Sequence, residues 1–446
     1  MEVSSRPLIL LKMLWSRYNT LFYSESKGYC LFNSRMLSLS QIDKETYELF
    51  LQLKEDGSRI KEMLPQADYE YLLNSKIIVP DNEDDKFLNM LKYKKHLQAY
   101  GTKELSLVIC PTLSCNFACP YCYEHNFPTA KMKDSVQQQL ITFINNHTKH
   151  IDGINLNWHG GEPLLAIDTI RQIYNKIQLE CELPIKHSSM VSNGYLLTEE
   201  NCKVLKEMKL DYLQITIDGD KDTHNLTRVL KNGKSSFERI MQNIDRATEL
   251  MPECHIGIRS NIGKNNKNEY PALYKKLEER WKGKNIHIYH AYVMDNSMDT
   301  TWEKRKALEL SVEEKTEFEI RLSKFGIKSK KSLFPKTDNI VCTCMDNNAY
   351  VIDPKGFLYK CWADVGKQER SIGTLENEIK RYDIVSQFMT GSDKFSDKKC
   401  IGCSFLPICD GGCNLYRVGK QEKNIPYNVC SFNEESLKNL LDTYLE

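Results

Sequence analysis

Cys115, Cys119 and Cys122 follow an apolar run, Leu105 to Ile109, in C-x3-C-x2-C spacing. Three thiolates can hold three corners of a [4Fe–4S] cube, whereas full ligation takes four. The fourth iron is then open to something that is not protein, which is the arrangement of a catalyst. One strand–helix unit later comes Gly160-Gly161-Glu162-Pro163. Glycines let backbone approach a ligand closely, and Glu162 can accept from an ammonium group. Free cysteines, or a zinc site one ligand short, are the plain account of the first motif, and an ordinary turn is that of the second. Their placement after successive strands argues for more, because ligands in α/β folds collect at strand carboxyl ends.

A second cysteine array reads Cys400-x2-Cys403-x5-Cys409-x3-Cys413, then Cys430, and is preceded by Cys342, Cys344-x11-Gly356 and Cys361. One tetrahedral zinc built on Cys400–Cys413 is the competing account, but seven or eight spaced cysteines exceed what one zinc needs. Cys30, Cys110, Cys181, Cys202 and Cys254 remain and read as buried small hydrophobes. His125 and His159 lie beside the first two motifs and read as hydrogen-bonding partners, with a catalytic role as the lesser alternative.

The elements that must position these residues form three sections, expected at 1–100, 101–325 and 326–446. In the first, Tyr18–Tyr23 and Gly28–Phe32 flank a Ser/Lys/Gly turn and read as a hairpin. Ser40 or Asp43 can cap a helix through Leu53, two short helical patterns surround Gly57 and Pro65, and Lys76–Pro80 reads as a strand. A hairpin with three short helices resembles a winged-helix-like module. The charged stretch Asp81 to Lys86 reads as the start of a connection.

The second section alternates strands (Leu105–Ile109, Ile154–Trp158, His187–Val191, Tyr212–Ile217, His255–Ser260, Ile286–Tyr292) with helical patterns. The pattern predicts an α/β fold with a parallel sheet and right-handed crossovers, a partial (β/α)6 TIM-like barrel. The third section is irregular, with a hairpin turning at Asp353-Pro354-Lys355-Gly356 and a closing helix over Ser436–Tyr444.

The length of 446 residues suits roughly three domains of about 150 residues each. Lys plus Arg number 61 against 60 for Asp plus Glu, so no global basic excess points to nucleic acid or a membrane surface. No apolar run approaches the roughly 18 residues of a membrane span, and Leu8–Trp15 contains Lys12 and no clear cleavage site. Sixteen cysteines without a secretion signal point to metal ligation in a reducing cytoplasm.

The cysteine loop after strand one and Trp158-His-Gly-Gly-Glu-Pro163 after strand two resemble the radical S-adenosylmethionine (SAM) superfamily. That resemblance implies that SAM chelates the open iron through its amino and carboxylate groups, with Gly160, Gly161 and Glu162 at the methionine amino end. It continues through Ser192-Asn193-Gly194 after strand three and Thr216-Ile-Asp218-Gly219 after strand four. It places Arg228 near the SAM carboxylate, the Tyr121 backbone at adenine and Thr216 near the ribose. Strand-end turn chemistry is the plainer account of Thr216 and Asp218.

The carboxyl-terminal array resembles the SPASM extension of these enzymes, which holds two auxiliary [4Fe–4S] clusters, three in all. By that resemblance Cys361 and Cys413 go with one cluster, and Cys400, Cys403, Cys409 and Cys430 with the other. Cys342 and Cys344 both fit the family spacing; either both ligate, or one is spare and the first auxiliary cluster keeps an open site.

The implied reaction takes an electron from a reductant such as flavodoxin or ferredoxin. It cleaves SAM to methionine and a 5′-deoxyadenosyl radical, which removes hydrogen from an unactivated carbon. The N-terminal module resembles the peptide-recognition element of peptide-maturing enzymes, whose sheet edge can receive an extended leader. A structural or dimerising appendage is the alternative. The expected substrate is therefore a ribosomally made precursor peptide with a leader segment, which receives a modification such as a crosslink.

The runner-up is an anaerobic sulfatase maturase, forming formylglycine from Cys or Ser. That family carries an aspartate directly after the cysteine matching Cys361. Here Trp362 stands there, and Asp364 is the nearest acid and the one catalytic candidate. A non-catalytic iron–sulfur or zinc carrier would show no SAM turnover.

Overall fold

A computed structural model describes residues 12–57, 60–124, 129–294, 308–327, 333–336 and 342–445. His125 lies outside these. Six parallel strands form the centre of the molecule: β6 (Glu104–Thr112), β7 (Gly153–Gly160), β8 (Ile185–Ser192), β9 (Tyr212–Thr216), β10 (His255–Ile262) and β11 (Ile286–Tyr292). They lie side by side in chain order, each joined to the next by helical crossovers. β6 reads Glu-Leu-Ser-Leu-Val-Ile-Cys-Pro-Thr and is buried over nearly its whole length, as expected for a parallel strand covered on both faces. Outward residues such as Leu105, Leu107, Ile154, Leu156, Ile256 and Ile258 pack on the helices in one continuous core.

The sheet does not end at β6. β12 (Ala349–Ile352) pairs with it in parallel, and β13 (Phe357–Tyr359), β14 (Gly373–Thr374) and β15 (Glu378–Ile379) follow antiparallel. One ten-stranded sheet therefore runs from the six parallel strands into the cysteine-rich section. The expected hairpin at 353–356 is the β12–β13 turn, and the closing helix spans Glu434–Leu445.

In the first section β2 (Asn19–Ser24), β3 (Gly28–Asn33) and β4 (Ser38–Gln41) form an antiparallel sheet. Helices follow at Lys44–Glu55, Ile60–Met63 and Gln66–Asn74, and β5 (Ile78–Pro80) returns to pair with β1 (Met13–Trp15). Asp43 caps the first helix, accepting from the Thr46 N–H at 2.7 Å. The stretch at 81–86 differs from expectation. It opens an 18-residue helix, Glu83–Tyr100, whose first-turn acids Glu83, Asp84 and Asp85 suit the positive end of a helix dipole. Asp84 is buried there and accepts from the Ser16 hydroxyl at 3.1 Å and the Arg17 N–H at 2.8 Å.

The β2–β3 sheet rests on the chain's last sections. Phe22, Cys30 and Phe32 pack with Phe405, Ile408, Leu437 and Leu441, with Cys403 at the margin. Tyr18 and Leu88 pack with Leu406 beside Cys400.

Candidate active site

β6 ends at Thr112, and the chain turns through Cys115, Cys119 and Cys122. Cys119 is buried and the other two are half-buried. The Phe117 N–H points at Cys115 Sγ from 3.4 Å. Burial pushes the Cys115 and Cys122 thiols up to about 12. Loading a metal group on this loop must therefore release protons.

The Gly-Gly-Glu segment is laced onto the loop. Gly161 N–H donates to Thr112 O at 3.3 Å and Glu162 N–H to Ser114 O at 2.9 Å. Gly160 has φ +113°, and a Cβ there would sit 2.2 Å from Thr112 O; one on Gly161 would sit 2.3 Å from Ser114 O. Both glycines are thus required for the close approach of this segment to the cysteine-loop backbone.

Glu162 is wholly buried, with its pKa raised by that burial. Its carboxylate accepts from Leu164 N–H at 3.0 Å, the Ser192 hydroxyl at 2.9 Å and Asn193 N–H at 2.7 Å. In this arrangement Glu162 ties the turns after β7 and β8 together. Asn193 continues the tie, its amide donating to Asn116 Oδ1, inside the cysteine loop, at 2.8 Å.

Arg228, at the end of the short helix Lys221–Thr227, donates through Nη1 to the Tyr121 hydroxyl at 3.1 Å and covers the Phe117 ring at 5.2 Å. Tyr121 in turn donates to Asp218, whose other oxygen accepts from Asn261 N–H at 2.8 Å. Burial raises the pKa of the Cys119 thiol, and the Arg228 charge offsets part of that rise. Thr216 ends β9 and is buried. One feature here fits a bound group: Arg228 Nε is buried with no partner among the described residues.

His224 lies one turn before Arg228. Burial, then the Arg228 charge, lower its pKa from 6.5 to about 3. The folded protein holds it neutral while the unfolded chain protonates it near 6.5. Its contribution to stability is therefore full above that pH and is lost as pH falls toward 3. Going from pH 7 to 5 is expected to cost about 2 kcal/mol at this residue. Urea midpoints of the protein and His224→Phe, compared at the two pH values, check it: the variant should lose that much of the slope.

His159 joins the loop after Cys122 to the one after Cys361. Its Nε2 lies 3.2 Å from the Tyr123 hydroxyl and 3.5 Å from Glu124. Its ring packs on Trp362 at 4.6 Å, and Trp362 Nε1 donates to Thr343 Oγ1 at 3.0 Å.

The carboxyl-terminal cysteines fall into two sets. In the first, the Cys344 thiol is held well above its usual pKa by its hydrogen bond to Cys342, by burial, and by Cys361 and Cys413 as neighbouring charges. Cys342, Cys361 and Cys413 are thus the cysteines that act on the Cys344 thiol. Lys360 is buried beside this set, donating to Ala349 O at 2.9 Å, and burial lowers its pKa to about 8.

In the second set, Cys400, Cys403, Cys409 and Cys430 line one cavity with Lys394 and Arg417. Among the described residues, no three of His, Cys, Asp or Glu are close enough to share one metal ion. A cluster, whose thiolates bind different irons, does not need its donors gathered around a single point.

Asp364 is buried, its pKa raised by that burial, and paired to Arg370 at 3.4 Å. Asn261, Asn116, Lys394 and Arg417 carried no signal in the sequence. Each acts on a partner distant along the chain, or is an ordinary polar residue until the fold places it.

A cavity of about 670 Å³ runs from β10 and β11 to the loops of both cysteine sets, with Arg259, Tyr292, Cys413, Tyr416, Tyr427 and Cys430 in its wall. Tyr416 and Tyr427 stack at 4.0 Å.

Residues 109–277 match the family described as the Radical SAM superfamily. The chain is homologous to the cysteine-type anaerobic sulfatase-maturating enzyme of Clostridium perfringens, 23% identical over 368 residues, 73% of this chain and 92% of that one. Its fold matches the structure of anSMEcpe with bound AdoMet and the Kp18Cys peptide, with a TM-score of 0.61 at 20% identity, covering 77% of this chain and 97% of that one. It also matches Streptococcus suis SuiB bound to precursor peptide SuiA, with a TM-score of 0.53 at 14% identity, covering 95% and 99%. No described helix is long and apolar enough to cross a membrane.

Proposed function

We propose that this chain, an enzyme built on a radical SAM domain, installs a modification such as a crosslink in a ribosomally made precursor peptide in the cytoplasm. The observation that carries this reading is the N-terminal sheet fastened to the 403–408 loop. A leader added to the edge of that winged-helix-like module would be fixed relative to the cysteine loops. The cavity beside β11 offers the following segment a path into the barrel. SuiB, whose structure holds the precursor peptide SuiA, aligns with 95% of this chain. Three units are assigned, 1–100 for the leader, 101–325 for SAM and 326–446 for the auxiliary clusters.

In this reading Cys115, Cys119 and Cys122 hold the SAM-binding [4Fe–4S] cluster. Arg228, Tyr121, Gly160, Gly161, Glu162, Ser192, Asn193 and Thr216 shape the SAM pocket, with Glu162 acting through the loops it ties. Cys342, Cys344, Cys361 and Cys413 hold one auxiliary cluster, and Cys400, Cys403, Cys409 and Cys430 the other. Bound SAM and its cluster supply a one-electron cleavage that yields a hydrogen-abstracting radical, with flavodoxin or ferredoxin as reductant. The protein's part is to orient the peptide carbon and exclude water.

A sulfatase maturase is the second reading, favoured by the homology to the Clostridium perfringens enzyme. Against it, Trp362 occupies the position of that family's acid, and Asp364 gives one oxygen to Arg370 at 3.4 Å. Co-expression with the small open reading frames beside the gene, followed by fragmentation mass spectrometry, separates the two. A neighbouring peptide is expected to lose hydrogen at a defined residue. Conversion of a sulfatase with every neighbouring peptide unchanged would sink the peptide-maturase reading.

A further inference from the structure

The second four-cysteine set has cations built against it. Arg417 is 5% exposed and spends its whole fork locally. Its Nη2 donates to Cys400 Sγ at 3.2 Å, Nη1 to Asp397 Oδ2 at 3.0 Å and Nε to Gly411 O at 2.9 Å. Lys394 donates to Cys409 O at 2.5 Å and Leu406 O at 3.1 Å. Both line the cavity formed by the four thiols. A buried guanidinium needs negative charge nearby, and Asp397, about one-third exposed, is the sole carboxylate paired with it among the described residues. Thiolates supply the rest. A [4Fe–4S] core on four thiolates carries net negative charge, which grows on reduction, so a fixed cation at a ligating sulfur favours the reduced form.

The geometry points to Arg417, assisted by Lys394, as the residue that sets the reduction potential of the cluster held by Cys400, Cys403, Cys409 and Cys430. This rests on the reading that these cysteines hold an iron–sulfur cluster. Arg417 touches a ligand through its N–H rather than the reacting atoms, and so acts as a positioning and tuning residue of the kind that surrounds metal ligands.

The test is an EPR-monitored redox titration of the full-length, anaerobically reconstituted protein. The wave of this cluster is the one that disappears in Cys403→Ala while the iron of the other two clusters is retained. In Arg417→Gln that wave is expected to move to lower potential, by about tenfold or more in the reduction equilibrium, roughly 59 mV for a one-electron couple. Arg417→Lys should restore most of the shift, Lys394→Gln should give a smaller one, and the other waves should stay in place. A merely structural tie between the 397 and 411 loops would lower iron content without moving the potential.

An Arg417→Gln wave unmoved at full iron content overturns the inference and leaves the cluster reading standing. Absence of any Cys403-dependent wave in the unmutated protein overturns the cluster reading itself. Should Arg417→Gln lose its cluster, Lys394→Gln decides, and an unmoved wave there overturns the inference.

Discussion

Cys119→Ala is expected to abolish formation of 5′-deoxyadenosine from SAM under reducing conditions, with the signal falling to the no-enzyme background. Of the three loop cysteines it is the buried one, and it lies against the Arg228 guanidinium. Removing even a residue that only supports a metal ligand costs about 10–100-fold in affinity or activity, so loss of a ligand should exceed a hundredfold. Chromatography of the anaerobic assay reads the product directly. The two cysteine sets proposed to hold auxiliary clusters lie on other loops, so on that reading roughly the iron of two clusters should remain. Product formation by Cys119→Ala at more than about one per cent of the parent rate would remove this loop from the chemistry.

Gly161→Ala carries the next largest expected effect, although it touches no thiol. The added methyl would lie 2.3 Å from Ser114 O, 2.5 Å from Ser114 C and 2.7 Å from Leu113 O, all backbone that cannot swing away. The cysteine loop must shift instead, losing the Gly161-to-Thr112 and Glu162-to-Ser114 bonds. Overpacking of this kind costs about 1–3 kcal/mol. A displacement of about 1 Å at a reacting centre costs on the order of a hundredfold in rate. The variant should therefore remain folded by circular dichroism while product formation falls about a hundredfold. A rate within about threefold of the parent would show that the loop tolerates the shift.

The chemistry-bearing spacings and the six parallel strands were legible in one dimension. Local cysteine motifs keep their spacing whatever the fold, and buried strands announce themselves as apolar runs such as Leu105–Ile109. Asp43 was readable as a cap because capping is a contact three residues long. What stayed hidden was non-local or polar. β4 is Ser-Leu-Ser-Gln and carries no strand signature, and the Glu83–Tyr100 helix begins with acids that look like a linker until Asp84 meets Ser16 and Arg17. Tyr121 finds Arg228 across 107 positions, so neither residue signals the other. The role of Glu162 was legible only by type, because its three donors come from turns after two different strands.

The docking of β2 and β3 on the Glu434–Leu445 helix bears on how the polypeptide is made. Ser26 bonds Asp442 at 3.1 Å, and Phe22 and Phe32 share a core with Leu437 and Leu441. During synthesis these aromatic side chains emerge more than 400 residues before their partners do. At roughly 5–20 residues per second, that leaves an apolar sheet face uncovered for about 20 seconds or more. Over that interval the nascent amino-terminal section exposes apolar surface of the aggregation-prone kind, and this sheet face is covered only after every cysteine of the three sets has been translated.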